Sequence, residues 1–217
     1  MRKIFACYLA TGFLLFSAVL GTVQPAQAAP RLLPATPAAI AVYASVLRHI
    51  NPQMSKSQSS DLAKRVLVNA ERWRLDANML VAIVTVESRW HTGAVSRAGA
   101  IGLGQLMPGT AALLGVDPWD PGQNLSGAAH YLSGLIGKFG SDHYDLVFAA
   151  YNAGPQAVDE YGGIPPFDET ERYVVKVMTA WQHFDKTVRL PAGAYDADLA
   201  SVPHGPDVDY WLDGIVR

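Results

Sequence analysis

The chain has 217 residues, half of them hydrophobic and 17% charged, with 17 Lys and Arg against 19 Asp and Glu. That composition suits a folded soluble domain and excludes a disordered tail. Without the leader described next, 15 basic residues face 19 acidic ones, a charge of about −4 with histidine neutral, which argues against nucleic acid as a partner.

Residues 1–28 read as an export signal: Arg2 and Lys3, an apolar run from Ile4 to Leu20, then Ala26-Gln27-Ala28, the small-x-small pattern that signal peptidase reads. Cleavage is expected after Ala28, which would put the protein in the periplasm or cell envelope. The 189 residues that remain suffice for one core and one appendage. The alternative is an uncleaved anchor, since Ile4 to Val23 is almost long enough to span a bilayer. Cys7, the only cysteine, leaves with the leader, so packing alone must hold the mature domain.

Residues 29–60 read as an N-terminal linker and lead-in, Pro- and Ala-rich to about Thr36 and ending in a Gln/Ser-rich loop from Ser55 to Ser60. Asp61 is the expected cap of a helix with apolar positions Leu62, Val66, Ala70 and Trp73 at the 3.6-residue period. A second helix starts at Asp76 and runs through Met79, Leu80, Ile83 and Val84 to about Arg89; it is apolar on most sides and so should be buried. A Gly-dense segment from Gly93 to Gly109 follows. Pro108 opens a short helix that Gly115 closes. Ser126 is read as the cap of a helix through Tyr131, Leu135 and Phe139, and Asp145 as the start of one over Leu146 to Asn152, stopped by Gly154 and Pro155. Asp168 and Glu171 have capping-box spacing ahead of Tyr173, Val174, Val177, Trp181 and Phe184. No alternating strand pattern stands out, so the fold class is all-α. Residues 61–190 form the predicted domain and 191–217 an acidic tail, in which Tyr210, Trp211 and Leu212 could dock on something.

Glu87 is out of place on that second helix, because three and four residues before it stand Val84 and Ile83. A carboxyl group on such a face loses hydration, and its pKa should rise toward neutrality, as a general acid requires. The equally open alternative is an acid at a helix end that reaches solvent or pairs with Arg89 or Arg97. Just after it, Gly99, Gly102 and Gly104 let backbone approach a ligand closely, as a groove for a sugar chain needs. No third glycine completes a dinucleotide fingerprint, since Met107 stands there, and no nucleophile elbow or His-Glu-x-x-His pair is present. His49, His91, His130, His143, His183 and His204 lack metal-ligand spacing, so neither metal nor cofactor is expected.

Four motifs in order carry a resemblance: Glu87-Ser88-Arg89-Trp90; Ala94 through Pro108, with Ser96, Gly102, Gln105 and Met107; Ala149-Ala150-Tyr151-Asn152-Ala153-Gly154-Pro155; and Glu169-Thr170-Glu171-Arg172-Tyr173-Val174. The segment from about Asp61 to Asp185 resembles the soluble lytic transglycosylases of peptidoglycan, which have a lysozyme-like fold. The resemblance implies an enzyme that cuts the β-1,4 bond between N-acetylmuramic acid and N-acetylglucosamine without water, leaving 1,6-anhydro ends. Glu87 matches the family's single catalytic glutamate, first acid and then base toward the muramic C6 hydroxyl. Ordinary glycosidases set two carboxyl groups about 5 to 9.5 Å apart, and no second acid follows Glu87 closely before Asp117 and Asp120.

By the same match Ser96 and Gln105 would hydrogen-bond substrate, Met107 would wall the groove, and Tyr151 would orient Glu87 or the acetamido group. Asn152 would hold the loop or the sugar, and Glu169 would lie along the groove, with Tyr173 a weaker candidate. Two departures from the commonest pattern, His91 after the aromatic Trp90 and Gly104 where Met is frequent, are read as touching groove lining. The implied partner is the glycan strand, met by a monomer that serves wall turnover or a secretion, conjugation or pilus machine. The competing readings are a hydrolytic muramidase using Glu87 and a held water, and a non-catalytic peptidoglycan-binding or scaffold protein.

Overall fold

A computed structural model describes residues 35–190; the leader and the acidic tail lie outside them. Eight helices form within this range, with no strand among the described residues. They are α1 (Pro37–Ile50), α2 (Lys56–Trp73), α3 (Ala77–Ser88), α4 (Pro108–Leu114), α5 (Pro121–Phe139), α6 (Tyr144–Ala153), α7 (Pro155–Tyr161) and α8 (Asp168–Thr187). The all-α expectation holds, and no described helix is long and apolar enough to cross a membrane.

The central element is α3. Asp76 caps it by accepting from the Met79 amide at 2.9 Å. Every residue from Met79 to Thr85 is buried, as expected for a segment apolar on all sides. Each fully buried Leu80- or Ile83-sized side chain contributes roughly 1.5 to 3 kcal/mol of hydrophobic stabilisation. Helix α8 packs along α3 and α6, while α5 bridges α2 and α6. The lead-in contributes α1, whose Tyr43, Leu47 and Ile50 enter the same core and which packs on α2. Tyr43 also donates to Asn78 at 2.8 Å.

Several helix starts differ from the sequence reading. The Ser55–Ser60 stretch is not a loop: Ser55 and Gln58 form a reciprocal capping box, so α2 begins at Lys56. Asp61 lies inside that helix and pairs with Arg65 at 2.7 Å. Helix α5 is capped by Asp120, with Pro121 in its first turn, and Ser126 is an interior residue. The Asp168–Glu171 box does not form. Phe167 occupies the N-cap after Pro165-Pro166, so Asp168 is already helical; it faces Arg172 at 3.5 Å and the helix dipole. Gly154 and Pro155 do stop α6, but the same pair opens α7.

Candidate active site

Glu87 sits in the last turn of α3, where the helix is ended abruptly by two consecutive left-handed residues, Arg89 (φ 49°) and Trp90 (φ 62°). Such a backbone costs on the order of 1 to 3 kcal/mol per non-glycine residue and persists only where surroundings enforce it. Trp90 is wholly buried and tied at three points. Its amide donates to the Ser88 hydroxyl at 3.1 Å, its indole to the Thr85 hydroxyl at 3.1 Å, and its carbonyl accepts from Asn51 at 3.2 Å. The acid is therefore mounted on a rigid end.

The Glu87 side chain is partly buried. Its Oε1 accepts a 2.6 Å hydrogen bond from the Tyr173 hydroxyl, which reaches it from α8. Loss of hydration pushes the carboxyl pKa from 4.5 up to about 7; the Tyr173 bond opposes this rise and the negative charge of Glu169 adds to it. Burial and the Glu87 charge in turn drive the Tyr173 pKa well above its ordinary value, so this hydroxyl keeps its proton and stays a donor. Arg89 and Arg97 do not pair with Glu87; the acid is a desolvated group, as the apolar helix face predicts.

Residues 91–107 fold as a tight loop on α5, pinned by two isolated bridges, Val95 with Ile101 and Ile101 with Leu106. Asn124, fully buried on α5, donates to the carbonyls of Ile101 (2.8 Å) and Pro118 (2.9 Å) and accepts from the Gly104 amide (2.8 Å). This close approach explains two glycines: a Cβ on Gly102 would overlap the Asn124 amide, and one on Gly104 would overlap Ala128. Gly104 is buried, and a methionine there would have no room in this packing.

A cleft of about 210 Å³ opens beside this loop, lined in part by Gln105, Met107, Tyr131, Tyr151 and Asn152. Glu87 is not in its lining; it is linked to it through the neighbouring Tyr151, whose pKa burial and the Glu87 charge raise. The Tyr151 hydroxyl donates to the Gly104 carbonyl at 2.9 Å, so it holds the loop, while the bond to Glu87 comes from Tyr173. Gln105, at φ 47°, donates its amide to the Ala94 (3.2 Å) and Gly102 (2.9 Å) carbonyls. The Ser96 hydroxyl accepts from the Ala100 amide at 3.0 Å and so closes a turn. Met107 is 44% exposed on the cleft rim, and Asn152 accepts from Thr170 at 2.8 Å, joining α6 to α8. Glu169 is exposed and acts on Glu87 through its charge.

The structure thus promotes Tyr173 and Asn124. Tyr173 stood in a recognised motif, but nothing in its spacing shows which acid it meets 86 residues away. Asn124 gave no signal beyond being a polar residue in a helix with a mostly apolar face.

Comparison with known proteins fits this geometry. The family model described as the transglycosylase SLT domain matches residues 65–174. A membrane-bound lytic murein transglycosylase F from Cellvibrio japonicus is 30% identical over 158 residues, 67% of this chain and 30% of that protein. One from Alkalilimnicola ehrlichii is 38% identical over 91 residues, 39% of this chain and 18% of that protein. Among solved structures, an inactive Glu-to-Gln mutant of the lytic transglycosylase Slt from Pseudomonas aeruginosa superposes with a TM-score of 0.51 at 25% identity, covering 72% of this chain and 31% of that one. The chain spans less than a third of the length of each of these relatives. With the acid, the glycine-dense loop and the Tyr151 helix all inside the matched span, the chain belongs to the transglycosylase SLT domain family.

Proposed function

We propose that the chain is a peptidoglycan lytic transglycosylase that cleaves the MurNAc-β-1,4-GlcNAc bond with Glu87 as its one catalytic carboxyl group. The observation that carries this reading is a carboxyl group with pKa about 7, held by a tyrosine that cannot give up its proton, beside a polar cleft. An acid poised at the working pH can both give and take a proton, which is what this reaction asks of it.

With Tyr173 on Oε1, the other oxygen carries the transferable proton. Glu87 gives it to the glycosidic oxygen as the C1–O bond breaks and the bonding pair leaves with that oxygen. The substrate's own acetamido oxygen stabilises the electron-poor C1. Glu87, now a carboxylate, removes the proton of the muramic C6 hydroxyl as O6 bonds to C1. The acid is regenerated and no water is consumed. Glu169 favours the protonated starting state by repelling negative charge on Glu87. Gln105 and Ser96, whose side chains fix the loop, place backbone and Met107 along the strand, and Tyr151 and Asn152 line the same cleft.

Around this core we place an export leader cleaved near Ala28, an envelope location, action as a monomer on glycan strands, and service to wall turnover or an envelope-spanning machine. The catalytic unit would include α1, which shares its core. Mass spectrometry of digested peptidoglycan tests the reaction: anhydro ends support it, products one water heavier identify a hydrolytic muramidase, and binding without soluble fragments identifies a scaffold.

A further inference from the structure

A cavity of about 400 Å³ lies apart from the cleft beside Tyr151. It lies where the α1–α2 connection faces the segment that follows Glu87. Its volume falls within the range of about 300 to 1,000 Å³ typical of small-ligand sites. Asn51, Gln53, Met54 and Gln58 come from one side and His91 through Ala94 from the other, over the buried Trp90. Half of this lining precedes residue 65, where the family match begins, and Asn51, Gln53, Met54 and Gln58 come from the lead-in.

The chemistry of the lining is selective. It presents carboxamides, a hydroxyl and an imidazole, with Met54 and Leu62 as apolar surface, and no Lys, Arg, Asp or Glu. The Asn51 amide is committed, donating to Trp90 and accepting from Gln53. The side chains of Gln53, His91 and Thr92, and the Nε2 of Gln58, have no hydrogen-bond partner among the described residues, so they are available to a ligand. A neutral ligand with hydroxyl and amide groups and one methyl suits such a surface. An acidic peptide does not, because its carboxylates would find no cation. The paired left-handed residues Arg89 and Trp90 turn the chain from the acid directly into this wall, so both belong to one rigid end of α3.

We propose that this cavity is a second saccharide site that takes a neutral N-acetylhexosamine unit of the glycan strand at a distance from the bond being cut. The inference rests on the reading of Glu87 as a glycan-cleaving acid. The test uses full-chain protein carrying Glu87→Gln, so that nothing is turned over, titrated with chitotetraose while backbone amide resonances are followed. Saturable shifts are expected at Gln53, His91, Thr92 and Gly93. Gly93 has open space where a Cβ would stand and no left-handed φ, so adding Gly93→Leu should fill the cavity without strain. That variant should weaken the 53 and 91–93 response about tenfold or more while shifts at Gln105 and Asn152 persist. Gln53→Ala, at an exposed turn position, should weaken the same response without filling the cavity. Shifts confined to Gln105 and Asn152 would overturn the second site and leave the proposed reaction standing. A response at 53 and 91–93 to an acidic tetrapeptide but not to the sugar would also overturn it. No response at either place, together with a wild-type chain that releases nothing from cell wall, would bring down both.

Discussion

Replacing Glu87 by Gln should make the protein inactive and, above neutral pH, more stable. The folded state holds the Glu87 proton with a pKa of about 7 against 4.5 for an ordinary carboxyl. At about 1.4 kcal/mol per pH unit, ionising it in the fold costs roughly 3 kcal/mol, closer to 2 given the solvent-facing edge that Glu87 retains. The fold binds this proton more tightly than the unfolded chain does. Its stability therefore falls as pH climbs from about 4.5 to about 7 and stays at the lower level beyond. Gln is nearly isosteric, cannot ionise, and still accepts from Tyr173. Urea unfolding of both proteins at pH 4 and pH 8 is the assay. The variant should gain roughly 2 to 3 kcal/mol over wild type at pH 8 and close to nothing at pH 4. An equal difference at the two pH values, or a less stable variant at pH 8, would refute the claim that desolvation sets the acid.

Tyr173→Phe removes the bond that favours the carboxylate, so the Glu87 pKa should rise by about one unit or more; the alkaline limb of kcat/KM should then move to higher pH while its maximum drops. Tyr151→Phe frees the Gly104 carbonyl and should lower turnover on cell wall about tenfold with a stability loss of about 1 kcal/mol by denaturant titration. Asn124→Ala leaves the buried Gly104 amide without a partner and takes one bond each from the Ile101 and Pro118 carbonyls, and should destabilise the fold by about 2 to 3 kcal/mol. Gly104→Ala should cost roughly 1 to 3 kcal/mol through overlap with Ala128, and Ala128→Gly should restore most of it in a double-mutant cycle.

What the sequence could show depended on how local the determining interaction was. The burial of α3 and the shifted acid were legible because Ile83, Val84 and Glu87 share one helix face. Pro108 and Gly115 bound α4 as their backbone preferences dictate. Caps were less legible where two candidates competed. Ser55 with Gln58 outbids Asp61 because it satisfies two amide donors at once, and Asp120 takes the α5 cap from Ser126 because Pro121 fixes the first turn behind it. Helix α1 carries an apolar face that only α2 and the core make visible. The roles of Tyr151 and Tyr173 were beyond reach, since each depends on a carbonyl or carboxylate brought in from a distant segment. Asn124 was hidden for the same reason.

The bond from Tyr173 to Glu87 joins points 86 residues apart, and it exists only once α8 lies against α3. Until the end of the domain has been synthesised and docked, residue 87 lacks this partner and part of the burial that raises its pKa, and is ionised at neutral pH like an ordinary carboxyl group. The raised pKa on which the proposed reaction relies is thus a property of the finished fold and of no shorter stretch of it.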